Sequence, residues 1–242
     1  MHKNKLLNTS AIILCGGQGS RLGSLGKKIN KTLIKYNGYP LIHHIIKYLR
    51  KYNIDKIIIP LGYRANEIQK YLNKNLLKKD LKIFNAGLST NINNRVKKSI
   101  DYLDNKTENV ILLNGDSYYE FDLNKLLNKK IHSKKILVNL MCSKLKLDYG
   151  FIEKKNTQIN FRYKNKVFKE FIDIDGNSNF FYSGLCVIEK NYLKKNIRTI
   201  KKNFEIELFN VASKNKKLSF VYDDNAFLQV NNSIDLIILN DK

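Results

Sequence analysis

The sequence predicts an α/β fold with a mostly parallel sheet, on three observations. Short, mainly apolar stretches of strand length recur along the first half, at 11–15, at 56–61 after a charged start, at 81–84 and at 110–113. Stretches with helical spacing of apolar residues separate them. The first and last runs end in glycine-bearing polar turns, Gly16-Gly-Gln-Gly19 and Asn114-Gly-Asp116. Strands alternating with helices build right-handed crossovers and so pair in parallel. A parallel sheet collects its ligands at the carboxyl ends of its strands. The glycine loop and Asp116 both lie at such ends, so the two can share one crevice.

Taken in order, residues 11–15 form a buried strand, and the glycine loop follows it. Residues 32–36 read as a short extended piece before the Asn37-Gly38 turn. Pro40 suits the first turn of a helix, and Leu41, Ile42, Ile45, Ile46 and Leu49 give that helix an apolar stripe. After the strand at 56–61, Asn66 can cap a helix that faces inward through Ile68, Tyr71 and Leu72. The strand at 81–84 precedes a helix marked by Val96, Ile100 and Leu103. The strand at 110–113 runs into Asn114-Gly115-Asp116. The second half changes character. Strands are expected at 136–141, 149–152, 157–163, 167–174 and 180–188, a helix at 204–211, strands at 218–222 and 226–230, and a last helix capped by Ser233. No proline-rich or serine-rich linker and no repeat interrupts the chain. One domain is expected over residues 1–242, with a first half to residue 130 and a second half over 131–242.

At 242 residues and 43% apolar composition the chain can bury a sizeable core. No apolar run approaches the ~18 residues of a membrane-spanning helix. The start, MHKNKLLNTS, is basic but lacks the apolar core of a secretory signal. Cys15, Cys142 and Cys186 are odd in number and widely spaced, which argues against a disulfide framework or a zinc site. A reduced cytoplasmic setting is the default. The histidines, His2, His43, His44 and His132, do not cluster with the cysteines, and His43 and His44 read as satisfied edge residues. The formal charge of +23 is spread through every segment. A specific nucleic-acid binder concentrates its charge with aromatics beside it, so none is expected. The field still attracts anionic substrates such as nucleoside triphosphates.

The stretch 11–31, AIILCGGQGSRLGSLGKKINK, carries the chemistry. A strand breaking into a glycine-rich loop exposes consecutive N–H groups that can cradle a phosphate. Arg21 and Lys31 add positive charge. The plain alternatives are a tight turn that uses glycine for its backbone freedom and a solvated lysine. Asp116 at a strand end beside such a loop is placed to hold a magnesium ion, or else to start a turn.

The motif GGQGSRL at 16–22, the lysine after it, Gly38-Tyr-Pro-Leu-Ile42 and His44 resemble the sugar-1-phosphate nucleotidylyltransferases. Gly62-Tyr-Arg-Ala-Asn-Glu-Ile-Gln-Lys-Tyr-Leu72 looks most like the glucose-1-phosphate cytidylyltransferases of that family, and Cys15-Gly-Gly equally like its heptose-1-phosphate guanylyltransferases. The resemblance implies a three-layer Rossmann-like domain of nucleotidyltransferase type, GT-A-like. It implies that Leu14, Gly16, Gly17, Gln18, Gly19, Ser20 and Gly115 bind the nucleotide, that Arg21 grips the triphosphate and that Lys31 stabilises the phosphates during transfer. Asn30 stands where the family has a proline, so a less rigid loop is expected. Residues 86–95 fall at the family's base-recognition loop. Arg95 fits its cytidylyltransferase version, and Asn93 and Asn94 take the places of paired glycines. Asp116 matches a metal-binding aspartate, with Mg²⁺ as the cofactor.

At the sugar end, Tyr149-Gly150 and Ser183-Gly184 resemble family dipeptides, and Glu205 falls where the family often has a glutamate. Glu205 can also be an acid that favours a helix start. Two further departures from the pattern matter most. The lysine that holds the sugar phosphate falls at Asp173, near Lys169, and the second metal aspartate falls at Gln229. The implied reaction is NTP + sugar 1-phosphate → NDP-sugar + pyrophosphate, for surface polysaccharide precursors. CTP is the favoured nucleotide and GTP the next; a homo-oligomer is compatible with this reading. The rival readings are a catalytically silent homologue that binds nucleotide or sugar phosphate, and a transferase whose phosphorylated acceptor is not a sugar.

Overall fold

The runs at 11–15, 56–61 and 110–113 become central strands covered on both faces, and the run at 81–84 becomes a half-buried edge strand. The structure, a computed structural model, describes residues 8–19, 22–75, 81–88, 90–144, 151–155, 158–162, 180–201, 203–223, 225 and 227–230. β1 (Thr9–Leu14) leads through the glycine loop to a short helix α1 (Ser24–Lys28) and a 3-10 turn (Lys31–Leu33). The hairpin of β2 (Lys35–Tyr36) and β3 (Tyr39–Pro40) turns on Asn37 and Gly38, left-handed at φ 46° and 81°, as two-residue hairpin loops require. Next come α2 (Leu41–Lys51), β4 (Ile57–Leu61), α3 (Ala65–Asn75), β5 (Leu81–Asn85) and α4 (Ile92–Ile100). β6 (Asn109–Asn114), β7 (Ser117–Tyr119) and α5 (Leu123–His132) follow. Beyond them lie β8 (Val138–Lys144), the antiparallel pair β9 (Phe151–Lys155) and β10 (Gln158–Arg162), β11 (Phe180–Glu189) and α6 (Lys190–Asn196). α7 (Phe204–Lys214), β12 (Leu218–Tyr222) and β13 (Phe227–Gln229) complete the described chain.

The central sheet has seven strands in the order β12-β8-β11-β6-β1-β4-β5. β1 runs parallel to β4 and β6, β4 to β5, and β8 to β12; β11 alone is antiparallel to its neighbours. Successive side chains point to opposite faces. Ala11, Ile13, Ile57, Ile59, Ile111 and Leu113 therefore meet Ile42, Ile45 and Leu49 of α2, Ile68 and Leu72 of α3, and Leu126 and Leu127 of α5. Ile12, Ile58, Val110 and Leu112 meet Val96 of α4, Leu193 of α6, and Leu208 and Ala212 of α7. The result is three layers, helices on both faces of a mostly parallel sheet. Burying each of these valine, leucine and isoleucine side chains contributes about 1.5–3 kcal/mol. β8, β11 and β12 come from beyond residue 131 and hydrogen-bond into the same sheet as β1.

Several local expectations are corrected. The extended piece at 32–36 opens instead as the 3-10 turn, because the Asn30 side chain accepts the Thr32 N–H and caps it. Asn66 lies inside the first turn of α3. The cap is the Gly62–Arg64 turn, whose carbonyls accept the first helical N–H groups. α4 stops at Ile100, before Leu103, and is capped by Asn91. α1, β7, α5 and α6 have no counterpart in the sequence reading. In α5 the buried Leu123, Leu126 and Leu127 are separated by asparagine and lysine, which dilutes the stripe. The strands expected at 136–141 and 149–152 are found displaced by two residues, as β8 and β9, and the one expected at 157–163 is found as β10. The strand expected at 167–174 and the helix capped by Ser233 lie outside the described residues.

Asp223 joins the end of β12 to the start of α5. Only 2% exposed, its carboxylate accepts the Asp122 and Asn225 N–H groups at 3.0 Å each and pairs with Lys125 at 3.2 Å. Burial raises its pKa, but the two N–H groups and the Lys125 ammonium lower it by more, so it stands below the ordinary 3.8. A carboxyl depressed in the folded state stabilises above its unfolded pKa and loses that contribution as pH falls through the folded value. Asp223→Asn is therefore expected to cost about 1–2 kcal/mol at pH 7. The gap from wild type should close below about pH 4, read as thermal melts across pH.

Candidate active site

The site forms where β1 and β6 end side by side. Gly115 allows this approach: its N–H donates to the Leu14 carbonyl at 3.2 Å, and a Cβ there would lie 2.6 Å from Cys15 Sγ. Asp116 is thereby set beside the glycine loop. A cavity of about 360 Å³ opens there, lined by Leu14, Gly16, Gly17, Gln18, Gly19 and Lys31. Arg95, Asp116 and Gln229 line it as well. The fold thus gathers these residues from the end of β1 and the loop after it, the 3-10 turn, α4, the turn after β6, and β13.

Lys31 is 8% exposed, and its ammonium is held in place. Nζ donates to the Val230 carbonyl at 2.7 Å and stands 3.5 Å from the Asp116 carboxylate. The Val230 N–H in turn donates to the Asp116 carbonyl at 3.0 Å. Asn30 does not loosen this turn as its substitution for proline suggests. It is 1% exposed; its Oδ1 accepts from the Thr32 N–H and hydroxyl at 2.9 Å each, and its Nδ2 donates to the Tyr63 carbonyl at 2.7 Å. Hydrogen bonds supply the rigidity that a ring would have given.

Arg95 lies beneath the loop at 6% exposure. Nη2 donates to the Gly16 carbonyl at 2.9 Å. The guanidinium fills the space that a Cβ on Gly16 or on Gly62 would need. Its Nε–H has no partner among the described residues. Burial lowers its pKa, and the neighbouring Cys15 raises it. The Cys15 thiol is pushed up by burial first and by Asp116 second, so it stays neutral and inert.

An adjoining cavity of about 490 Å³ shares Gly16, Gly17, Gln18 and Arg95 and adds Glu205 at the start of α7. Burial raises the pKa of Glu205. Ser183 is buried and donates to the Met141 carbonyl at 2.9 Å, and it lines neither cavity. Gly184, at φ 76° in a bulge of β11, makes room for the Asn114 side chain. Ser20, Arg21, Tyr149, Gly150 and Asp173 lie outside the described residues. The sequence reading did not include Asn30, Thr32, Ile92 and Asn114 among the site residues, though all four line the first cavity. Asn114 stood directly before Gly115-Asp116 and was the legible one.

Asp116 and Gln229 give the cavity oxygen donors of the kind magnesium takes, one charged and one neutral. No cluster of three His, Cys, Asp or Glu occurs among the described residues. A set with one carboxylate fits a magnesium ion that also binds substrate phosphates. No helix among the described residues is long and apolar enough to cross a membrane.

A family model described as "Nucleotidyl transferase" matches residues 10–226. The D-glycero-alpha-D-manno-heptose 1-phosphate guanylyltransferase of Campylobacter jejuni subsp. jejuni serotype O:2 is 28% identical over 214 residues, 88% of this chain and 91% of that protein. A candidate glucose-1-phosphate cytidylyltransferase of Bacillus subtilis is 38% identical over 61 residues, 25% of this chain and 24% of that protein. The crystal structure of a candidate glucose-1-phosphate thymidylyltransferase from Bacillus anthracis, in complex with sucrose, matches with a TM-score of 0.74 at 18% identity, over 96% of this chain and 94% of that one. That last likeness is one of fold.

Proposed function

The chain belongs to the nucleotidyl transferase family, and we propose that it joins a nucleoside triphosphate to a sugar 1-phosphate, releasing a nucleoside diphosphate sugar and pyrophosphate. The observation that carries this reading is the cavity in which the glycine loop, Lys31 and Asp116 meet at the ends of β1 and β6. The loop's N–H groups receive the triphosphate. The sugar phosphate oxygen attacks the α-phosphorus in line, and pyrophosphate leaves. Little covalent work falls to the protein, so positioning and charge neutralisation dominate. Lys31 neutralises the α-phosphate, and Arg21 the leaving pyrophosphate. A pyrophosphate-release screen of four NTPs against a panel of sugar 1-phosphates with Mg²⁺ tests this; no release with any pair would favour the silent homologue.

Residues 1–130 supply most of the nucleotide site, and 131–242 the acceptor side. For the base we place GTP ahead of CTP. The guanylyltransferase of C. jejuni is alike along 88% of this chain, and Arg95, on which CTP rested together with Gly62-Tyr63, is engaged with the Gly16 carbonyl. CTP draws support from the 61-residue likeness to the cytidylyltransferase. A cytoplasmic supply of surface polysaccharide precursors suits three buried free cysteines.

Asp116 and Gln229 would hold Mg²⁺, which when bound neutralises phosphate charge. With one carboxylate, Asp116 and Gln229 would hold free Mg²⁺ only weakly, and the nucleotide phosphates would have to supply the remaining charge. Gln229→Asp restores the second charge, so the Mg²⁺ concentration for half-maximal rate should fall. It is read by titrating pyrophosphate release at saturating NTP and acceptor. An unchanged midpoint would remove Gln229 from the metal's surroundings, and activity in the variant alone would mark Gln229 as the lesion of a silent protein.

A further inference from the structure

The turn after β4, Gly62-Tyr63-Arg64, grips the segment from Gly16 to Lys31 at three places. At its entry, the Tyr63 N–H donates to the Gly16 carbonyl at 3.3 Å. At its exit, the Tyr63 carbonyl accepts from Asn30 Nδ2 at 2.7 Å. In its middle, the Tyr63 hydroxyl and Arg64 Nη1 both donate to the Lys27 carbonyl, at 3.0 and 2.9 Å. Arg64 reaches that carbonyl from a left-handed backbone, φ 54°, which a residue with a Cβ adopts only at a free-energy cost. Its guanidinium is steadied from behind by Glu67, with Nε 2.8 Å from Oε2. A strained residue is retained where its surroundings over-determine it, and such sites often serve function.

We propose that Tyr63 and Arg64 are positioning residues for the triphosphate. Through the Lys27 carbonyl they hold residues 22–31, which carry Lys31, against the turn after β4 before the nucleotide arrives. The inference rests on the nucleotidyl-transfer reading and deepens it. A segment already ordered loses less entropy when the ligand binds. Its loosening therefore weakens NTP binding and leaves the acceptor untouched. Both side chains are part-exposed, so removing their polar groups opens no cavity.

The test uses the full chain with Tyr63→Phe, Arg64→Gly and the double variant. Tyr63→Phe keeps the ring and both backbone hydrogen bonds. Arg64→Gly removes the guanidinium but relieves the left-handed strain, so stability and nucleotide affinity need not fall together. Each single variant should raise the NTP KM about threefold and the double about tenfold. The acceptor KM should stay unchanged, and Tm should stay within about 3 °C of wild type. Calorimetric NTP binding without acceptor should weaken in step. An unchanged NTP KM and Kd in the double variant, or an equal rise in both KM values, overturns the proposal while wild type still binds NTP. A wild type that binds no NTP in the same calorimetry overturns the nucleotidyl-transfer reading, and this inference with it.

Discussion

Lys31→Ala is expected to lower turnover by about two to three decades, the usual scale for one charge-stabilising group aimed at a reacting centre. The ammonium is prepared for this before substrate arrives. It is pinned by the Val230 carbonyl at 2.7 Å and stands 3.5 Å from Asp116. A group held in place loses little entropy as the reaction proceeds, and a buried charge acts through a lower dielectric than one in water. Lys31→Ala also frees the Val230 carbonyl, but the Val230 N–H remains bound to the Asp116 carbonyl. The fold should therefore survive, with a melting temperature a few degrees lower. The distinguishing result is a fall in kcat larger than the rise in NTP Kd, because the charge is needed most as transfer proceeds. Equal changes in both would reduce Lys31 to a binding residue.

Gly16→Ala should weaken NTP binding by about five- to 150-fold, the range that 1–3 kcal/mol of overpacking spans. The added methyl would enter the Arg95 guanidinium, which is buried and bonded to the Gly16 carbonyl. The open side for that guanidinium is the cavity itself, so relief of the clash fills the nucleotide site. Gly16→Ala combined with Arg95→Ala removes the clash and should recover much of the binding lost in Gly16→Ala alone. The coupling is read from calorimetric NTP binding across the four-protein cycle. Additive losses would show that Arg95 does not shape the loop.

The strands at 11–15, 56–61 and 110–113 were legible because a strand buried on both faces is apolar without interruption. The same reasoning missed α5, where Leu123, Leu126 and Leu127 make a stripe only once Asn124 and Lys125 are known to face out. The glycine loop and Asp116 were legible as possible neighbours because parallel strands present their carboxyl ends on one side of the sheet; that β1 and β6 lie side by side is decided by the sheet order. Asn30 read as a loosened turn, because the loss of a ring is visible in sequence and its contact with the Tyr63 carbonyl, 33 residues away, is not.

By itself, then, the sequence determined the alternation of strands and helices, the phosphate loop and the carboxylate beside it. Each follows from local chemistry: apolar period, backbone freedom of glycine, charge at a strand end. Only the tertiary structure decided what holds those groups. It set Arg95 under Gly16 rather than in open solvent, tied Lys31 to Val230, and braced the loop through Tyr63 and Arg64. Those contacts join residues 36 to 199 positions apart. Their partners are chosen by how the sheet brings distant turns together, and no local pattern encodes that choice.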